Sequence, residues 1–380
     1  MTDFLYFDYA AATPLDGRVQ AAMAPFLAEQ FYNPSATYAP ARAVAVELEK
    51  ARSVVAHWLG ARPAEVVFTA GGTEANNLAI HGIMQRFPDA NVVVSAVEHD
   101  AVLHPAARYA HRLAPVTADG LVDLDALRQT IDDQTVLVSI MYANNEVGAV
   151  QPIKQITQLV KDLREARRQQ GNELPLYVHT DACQASNYLD LHVARLGVDL
   201  LTLNGGKMYG PKQSGVLYVK AGLELQPQVL GGGQESGLRS GTENVAACIG
   251  LAAALDIAQS QRHQQLERMQ RLQAHFLDAL AAQVPQAVVN GSLRKRLPNN
   301  VHVTLPGTDN ERILLELEAV GVLAAAGSAC SASNEEPSHV LRAMGLSDAD
   351  AQASLRFTMG RQTDEAAIDR AVAALANCVQ

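Results

Sequence analysis

The chain has 380 residues, of which 48% are hydrophobic, and its formal net charge is −10. This length predicts about two domains, and the hydrophobic content predicts sizeable buried cores. The negative charge disfavours nucleic-acid binding through bulk electrostatics, because such binding needs a basic surface. We therefore expect a globular protein that does not bind nucleic acid directly.

The amino-terminal residues 1–4 lack the charged and then apolar character of a secretory leader. No run approaches the roughly 18 uninterrupted apolar residues that a membrane span needs. These features predict a cytoplasmic protein without a membrane partner.

Strand and helix patterns alternate over the first part of the chain, after a short extended segment at residues 6–14. Helices are predicted at 17–30, 40–59, 73–84, after His99, from Asp123 and at 152–168, and strands at 65–69, 91–95, 114–117, 135–141, 176–180, 198–203 and 216–219. Such alternation predicts a largely parallel sheet with helices on both faces and functional loops at one edge.

A long helix, predicted to be bent, covers residues 242–281, and a smaller set of elements follows it. These are strands at 300–305, 322–325 and 354–358 and helices at 309–319, 337–344 and 364–378. We predict a large domain at 15–257 and a small α/β domain formed by 1–14 and 258–380, with the boundary near 255–261.

The most glycine-dense stretch, residues 231–242, precedes that long helix. Its composition is equally compatible with a flexible linker and with a loop that meets a ligand or partner.

The four cysteines lie far apart, without metal-ligand spacing or the density of a disulfide framework. Cys183 and Cys248 have apolar or small neighbours, which predicts buried structural thiols, and Cys378 ends a terminal helix. Cys330 differs, because it lies in a loop of small residues.

Lys207 follows a predicted buried strand and has glycines around it, at the edge where open α/β sheets bind ligands. Alone it could be a solvated surface lysine. Asp181 with Gln184, and Gly71-Gly72-Thr73 before a helix, add a carboxylate and an anion-binding helix start. An amine, a carboxylate and a phosphate-binding helix start are the groups that a protein supplies to a pyridoxal phosphate (PLP) site.

These motifs resemble those of cysteine desulfurases of the NifS/IscS type, within the class-V aminotransferase-like group of PLP enzymes. The resemblance runs over nearly the full length of the chain. It is carried by Asp8–Pro14, Thr73–Asn77, Glu98-His99, Asn144–Gly148, Asp181 with Gln184, Lys207–Lys212, Gly327–Cys330 and Leu355–Arg361. It implies the fold type I of PLP-dependent transferases.

For the cofactor, the resemblance implies that Lys207 carries PLP covalently and then moves protons at the substrate. Asp181 would keep the pyridine nitrogen protonated, and Gln184 would hydrogen-bond the phenolic oxygen. His99 would stack on the ring and assist proton transfer, although a lone histidine here would more simply be a core residue.

The phosphate, by the same resemblance, would be bound by Gly72, Thr73 and Asn204, with Thr242 reaching across from a second subunit. That assignment implies a homodimer with two shared sites.

For the substrate, L-cysteine, Arg356 would pair with the carboxylate and Asn145 would assist, although an exposed arginine at a strand end is otherwise common. Cys330 would take the sulfur as a persulfide and leave alanine; the alternative is a small buried thiol.

The chain departs from the family where a serine and a histidine usually precede the lysine and donate to the phosphate. Here these positions are Asn204 and Gly206. A lost charge-assisted hydrogen bond costs roughly 1.5–3 kcal/mol, so we expect weaker PLP retention than in relatives with the histidine.

Other activities stay open at this point. Selenocysteine lyases and aminotransferases share the fold, although an aminotransferase needs no nucleophile at Cys330. A non-catalytic binding protein would not need Lys207, Asp181, His99, Arg356 and Cys330 together.

The sulfur acceptor that the resemblance implies is an iron–sulfur scaffold or a tRNA-thiolation enzyme. Relatives that dock the scaffold do so with a longer carboxyl-terminal tail than the one that ends here at Gln380. The scaffold and the tRNA-thiolation enzyme are therefore equally open as acceptors.

Overall fold

The computed structural model describes residues 4–327 and 337–379 and is built from alternating strands and helices. Its strands are β1 Leu5–Tyr6, β2 Val66–Thr69, β3 Asn91–Ser95, β4 Ala110–Ala114, β5 Thr135–Ser139, β6 Tyr177–Asp181, β7 Leu200–Asn204, β8 Gly215–Val219, β9 Val288–Val289, β10 Asn300–Thr304, β11 Val322–Leu323 and β12 Ser354–Thr358. Its α-helices are α1 Gly17–Met23, α2 Pro25–Ala28, α3 Ala39–Leu59, α4 Gly72–Met84, α5 Asp100–Ala106, α6 Leu124–Thr130, α7 Ile153–Gln169, α8 Val193–Leu196, α9 Val245–Ser260, α10 Arg262–Gln283, α11 Asn310–Ala319, α12 His339–Ala343, α13 Asp348–Gln352 and α14 Glu365–Cys378.

A seven-stranded sheet with the order β2-β8-β7-β6-β5-β3-β4 forms the centre. All neighbouring pairs are parallel except those of β8, which runs antiparallel to β2 and β7. Side chains of β3 enter separate hydrophobic clusters on the two faces, Val93 on one and Val92 with Val94 on the other. The predicted α/β class, with a largely parallel sheet covered on both faces, is therefore confirmed.

Another hydrophobic cluster, separate from those on the central sheet, lies under the sheet β12-β10-β9 and the helices α10, α11 and α14. Phe7, Phe276 and Phe357 pack together at its centre, so the amino-terminal segment belongs to this cluster. Strand β1 also pairs with β11. The domain boundary near residue 257 stays a prediction, which this packing and the helix break at Gln261 support.

Some predicted elements need correction. The strand predicted at 114–117 is wrong: β4 comes earlier, and residues 110–113 are exposed at the sheet edge, so their polarity concealed the strand. The long helix predicted at 242–281 is two helices that meet at Gln261. The helix predicted at 17–30 is interrupted at Ala24, directly before Pro25.

Among the described residues, no helix is both long and apolar enough to cross a membrane.

Candidate active site

A cavity of about 210 Å³ opens where the carboxyl ends of β6 and β7 lie side by side. Most of the site residues predicted from the sequence line this cavity. They are Gly72, Thr73, His99, Asn145, Asp181, Gln184, Asn204, Lys207 and Arg356. Thr242 is exposed and does not line this cavity. Cys330 lies outside the described residues.

Asp181 is the last residue of β6 and is 6% exposed. One carboxylate oxygen, Oδ2, accepts a hydrogen bond from Asn76 Nδ2 at 2.6 Å, and Oδ1 accepts one from the backbone N–H of Cys183 at 2.9 Å. Hydrogen bonds to a carboxylate are stronger than neutral ones, so these two donors fix the orientation of the group.

Lys207 ends a single 3₁₀ turn, Gly205–Lys207, that directly follows β7. Its Nζ donates to the carbonyl oxygens of Ala10 at 2.9 Å and Ala11 at 2.5 Å. The Ala10 carbonyl also accepts from Gln184 Nε2 at 3.0 Å. The amino-terminal segment thus forms one wall of the cavity and contacts two of the predicted cofactor ligands, Lys207 and Gln184.

The predicted phosphate site is at the start of α4. No side chain of the described residues caps this helix, so the N–H groups of its first turn are directed at the cavity beside Thr73. A Cβ on Gly72 would lie 2.6 Å from Cys183 Sγ, so only glycine lets the turn pack this closely.

Asn204 caps the 3₁₀ turn: its Oδ1 accepts from the N–H of Gly206 at 2.9 Å. Its Nδ2 lies 3.4 Å from the place where a Cβ of Gly72 would stand, so the amide donor faces the predicted phosphate site. Gly206 offers that site no side chain, and its carbonyl accepts from the Thr13 hydroxyl at 3.0 Å.

His99 is the N-cap of α5, and its Nδ1 accepts from the backbone N–H of Ala101 at 3.0 Å. Because Nδ1 is an acceptor, the neutral ring carries its proton on Nε2. Cap geometry therefore fixes both the tautomer and the position of this side chain at the cavity wall.

The neighbouring Glu98 is fully buried, and its Oε1 accepts from the Ser95 hydroxyl at 2.5 Å and from the Met141 N–H at 2.7 Å. Burial raises the pKa of Glu98 to about 8, with a smaller increase from the charge of Asp181, while the two hydrogen bonds act in the opposite direction. Burial therefore favours the protonated form of this carboxyl.

Arg356, on β12, is 2% exposed, so the alternative of an exposed strand-end arginine is wrong. Its Nη2 pairs with Asp8 Oδ1 at 2.6 Å, and its Nη1 donates to the carbonyl oxygen of Asn145 at 2.9 Å. Its Nε has no hydrogen-bond partner within the described part of the chain. A buried guanidinium with an unused donor suits a carboxylate ligand.

The glycine-rich stretch 231–242 is anchored and not a free linker. Glu235 forms a two-point ion pair with buried Arg52, both contacts at 2.7 Å, and also accepts from the N–H of Phe68 at 2.8 Å. Arg239 pairs with Glu74 of α4 at 2.9 Å. These contacts hold the stretch in one conformation, and Thr242 at its end faces solvent.

Three residues of this region received no cofactor-binding or catalytic role from the sequence. Asn76 and Asp8 lie in motifs that carry the family resemblance, but their contacts join positions far apart in the chain. Cys183, expected to be a structural thiol, lines the cavity. Burial raises the pKa of its thiol well above the ordinary value, and nearby Asp181 raises it further.

The donor set fits pyridoxal phosphate. An uncapped helix start with a hydroxyl suits a phosphate, Lys207 supplies an amine, and Asp181 supplies a carboxylate for the ring nitrogen.

Comparison with known proteins gives matches over nearly the whole chain. The class-V aminotransferase family model matches residues 5–371. A cysteine desulfurase IscS from Dictyoglomus turgidum is 39% identical over 367 residues, which are 94% of this chain and 90% of that protein. Among solved structures, a NifS-like protein has a TM-score of 0.90 at 30% identity and covers 98% of each chain. SspA in complex with cysteine has a TM-score of 0.78 at 32% identity, covering 93% of this chain and 98% of its own.

Proposed function

The chain belongs to the class-V aminotransferase family, and from this membership we propose that it is a PLP-dependent cysteine desulfurase. It converts L-cysteine to L-alanine and keeps the sulfur as a persulfide on Cys330. Its similarity to proteins named cysteine desulfurase supports this activity. The observation that carries the proposal is that Lys207, Asp181 and Arg356 line one cavity.

The cofactor, when bound, supplies an electron sink for the bonds that break at the substrate. Lys207 would hold it covalently and Asp181 would pair with the ring nitrogen. Gln184 would offer the phenolic oxygen a second amide hydrogen, since its Nε2 uses only one on Ala10. The phosphate is bound by Gly72, Thr73 and Asn204 at the start of α4.

The substrate carboxylate binds Arg356, assisted by the side chain of Asn145. Asp8 and the Asn145 carbonyl each accept one hydrogen of a terminal guanidinium nitrogen, so the second hydrogens of these nitrogens are donors for the incoming carboxylate. The ion pair with Asp8 therefore orients Arg356 before the substrate arrives.

Two side chains handle protons in this scheme. The Lys207 amine takes and returns the proton at the substrate α-carbon after leaving the carbonyls of Ala10 and Ala11. His99 donates through Nε2, because its Nδ1 is occupied by the N–H of Ala101.

Sulfur transfer uses the Cys330 thiolate as nucleophile. It attacks the substrate sulfur, and a sulfur–sulfur bond forms while the carbon–sulfur bond breaks. The electron pair of the broken bond stays with carbon, and protonation there gives alanine. The balance needs no external oxidant or reductant.

The active unit is a homodimer in which Thr242 reaches the phosphate of the other subunit. Supporting this, Thr242 is exposed at the end of an anchored stretch and is absent from its own chain's cavity. Sedimentation of the PLP-loaded protein should give a dimer, and a fully active monomer would contradict this assignment.

The persulfide passes to an acceptor protein in the cytoplasm, either an iron–sulfur scaffold or a tRNA-thiolation enzyme. Incubating the persulfide form with each acceptor and measuring its gain of sulfur distinguishes the two.

The activity is tested by incubating PLP-loaded protein with L-cysteine and a thiol reductant. Alanine and sulfide should form in equal amounts, and Lys207→Ala should form neither. Amino-group transfer to an added keto acid would instead indicate an aminotransferase. A strong preference for selenocysteine in kcat/KM would indicate a selenocysteine lyase.

A further inference from the structure

Asn76 makes a buried contact with the carboxylate proposed to face the cofactor ring. It lies on α4, is 1% exposed, and lines the cavity. Its Nδ2 donates to Asp181 Oδ2 at 2.6 Å, which joins positions 105 residues apart. The backbone N–H of Cys183 donates to the other oxygen, Oδ1, at 2.9 Å. Asn76 is therefore the side chain that holds Oδ2 in place.

The orientation of the Asn76 amide is determined by its neighbour. Turning the amide over would place Oδ1 against an oxygen of Asp181, so two acceptors would face each other. In the observed orientation Oδ1 has no partner among the described residues. An unpartnered buried oxygen costs about 1–3 kcal/mol, so the residue contributes through its donor to Asp181.

Helix α4 links this contact to the phosphate site. Gly72 and Asn76 are four positions apart and share a helix face, so the same face carries the phosphate-binding turn and the donor to Asp181.

We propose that Asn76 is a positioning residue, which orients Asp181 toward the pyridine nitrogen of PLP. The proposal rests on the proposed function only for the identity of the cofactor. When the amide is removed, Oδ2 of Asp181 loses its side-chain donor, and the interaction of the carboxylate with the protonated ring nitrogen weakens.

The test replaces Asn76 with leucine, which has a similar shape and no donor, and with alanine, which is smaller and also has no donor. PLP is titrated into each apoprotein to obtain its dissociation constant, and the visible absorption of bound PLP is followed against pH. The matched control is Asn77→Leu, because Asn77 is on the same helix and donates to the Thr73 carbonyl instead.

Both Asn76 variants should bind PLP about tenfold more weakly or worse, as expected for a lost hydrogen bond to a charged group. Both should also shift the pH midpoint of the visible absorption, which a merely structural residue would not do. Asn77→Leu should leave that midpoint at the wild-type value.

Wild-type affinity and midpoint in Asn76→Leu would overturn the proposal, and so would an equal shift in Asn77→Leu. Failure of both Asn76 variants to fold would overturn it as well, because it would make the residue structural. If the wild-type protein binds no PLP, the proposed function fails instead, so the two failures are distinguishable.

Discussion

The buried Arg356 and the partly exposed Asp8 form an ion pair across 348 residues of sequence, with 2.6 Å between Nη2 and Oδ1. The guanidinium side chain is 2% exposed, so removal of Asp8 would leave a positive charge in the interior beside the neutral Asn145 carbonyl. The pair therefore stabilises the fold and prepares Arg356 for an anionic ligand.

Asp8→Ala should lower the free energy of unfolding by about 3 kcal/mol, because it leaves the charge of the buried Arg356 uncompensated. Urea unfolding of the apoprotein measures this. Asp8→Asn, which keeps an acceptor but not the charge, should lower the free energy of unfolding by less. Combining Asp8→Ala with Arg356→Ala should cost less than the two single losses added together, and full additivity would contradict the pairing.

Gly206→His should strengthen PLP binding by about tenfold or more, because the imidazole restores a donor to the phosphate. A Cβ fits there at ordinary van der Waals distances, 3.4 Å from Asn204 Oδ1 and 3.6 Å from Lys212 Cγ. Gly206→Ala is the control, since it adds a Cβ without a donor. Titration of the apoproteins with PLP measures the effect, and unchanged affinity in Gly206→His would show that the missing donor is already replaced.

Because of Glu98, the free energy of unfolding should fall as the pH rises. Its pKa is raised from 4.5 to about 8 by burial, so the unfolded chain ionises first and the native state keeps its proton. The contribution of Glu98 to the free energy of unfolding therefore becomes increasingly unfavourable between about pH 4.5 and 8. Above that range it changes no further.

Glu98→Gln removes this titration while keeping an acceptor for Ser95 and Met141. The stability of the wild type relative to Glu98→Gln should fall across this interval, as measured by urea unfolding at a series of pH values. A difference that stays constant from pH 4.5 to 8 would mean that Glu98 is ionised in the native protein.

Local sequence patterns are enough to place many elements, and the reason is physical. Buried parallel strands are continuous apolar runs, and β3, which is parallel to both of its neighbours, has the predicted bounds. Because the carboxyl ends of such strands meet at one edge, the sequence alone is enough to expect Asp181 and Lys207 in a shared site.

Contacts between distant segments do not follow from local patterns. Asp8 meets Arg356 across 348 residues of sequence, and Asn76 meets Asp181 across 105. The exposed strand β4 is predicted in the wrong place because edge strands lose the apolar pattern on which such predictions depend.

The most direct test of the account is the intact mass of PLP-loaded protein after incubation with L-cysteine in the absence of reductant. Wild type should gain one sulfur atom, and Cys330→Ala should gain none, with PLP loading of both verified by visible absorption. Cys183→Ala should still gain the sulfur, because burial raises the pKa of that thiol and disfavours its nucleophilic form. A wild type that gains no sulfur, or a Cys330→Ala variant that gains it, would contradict persulfide formation at Cys330.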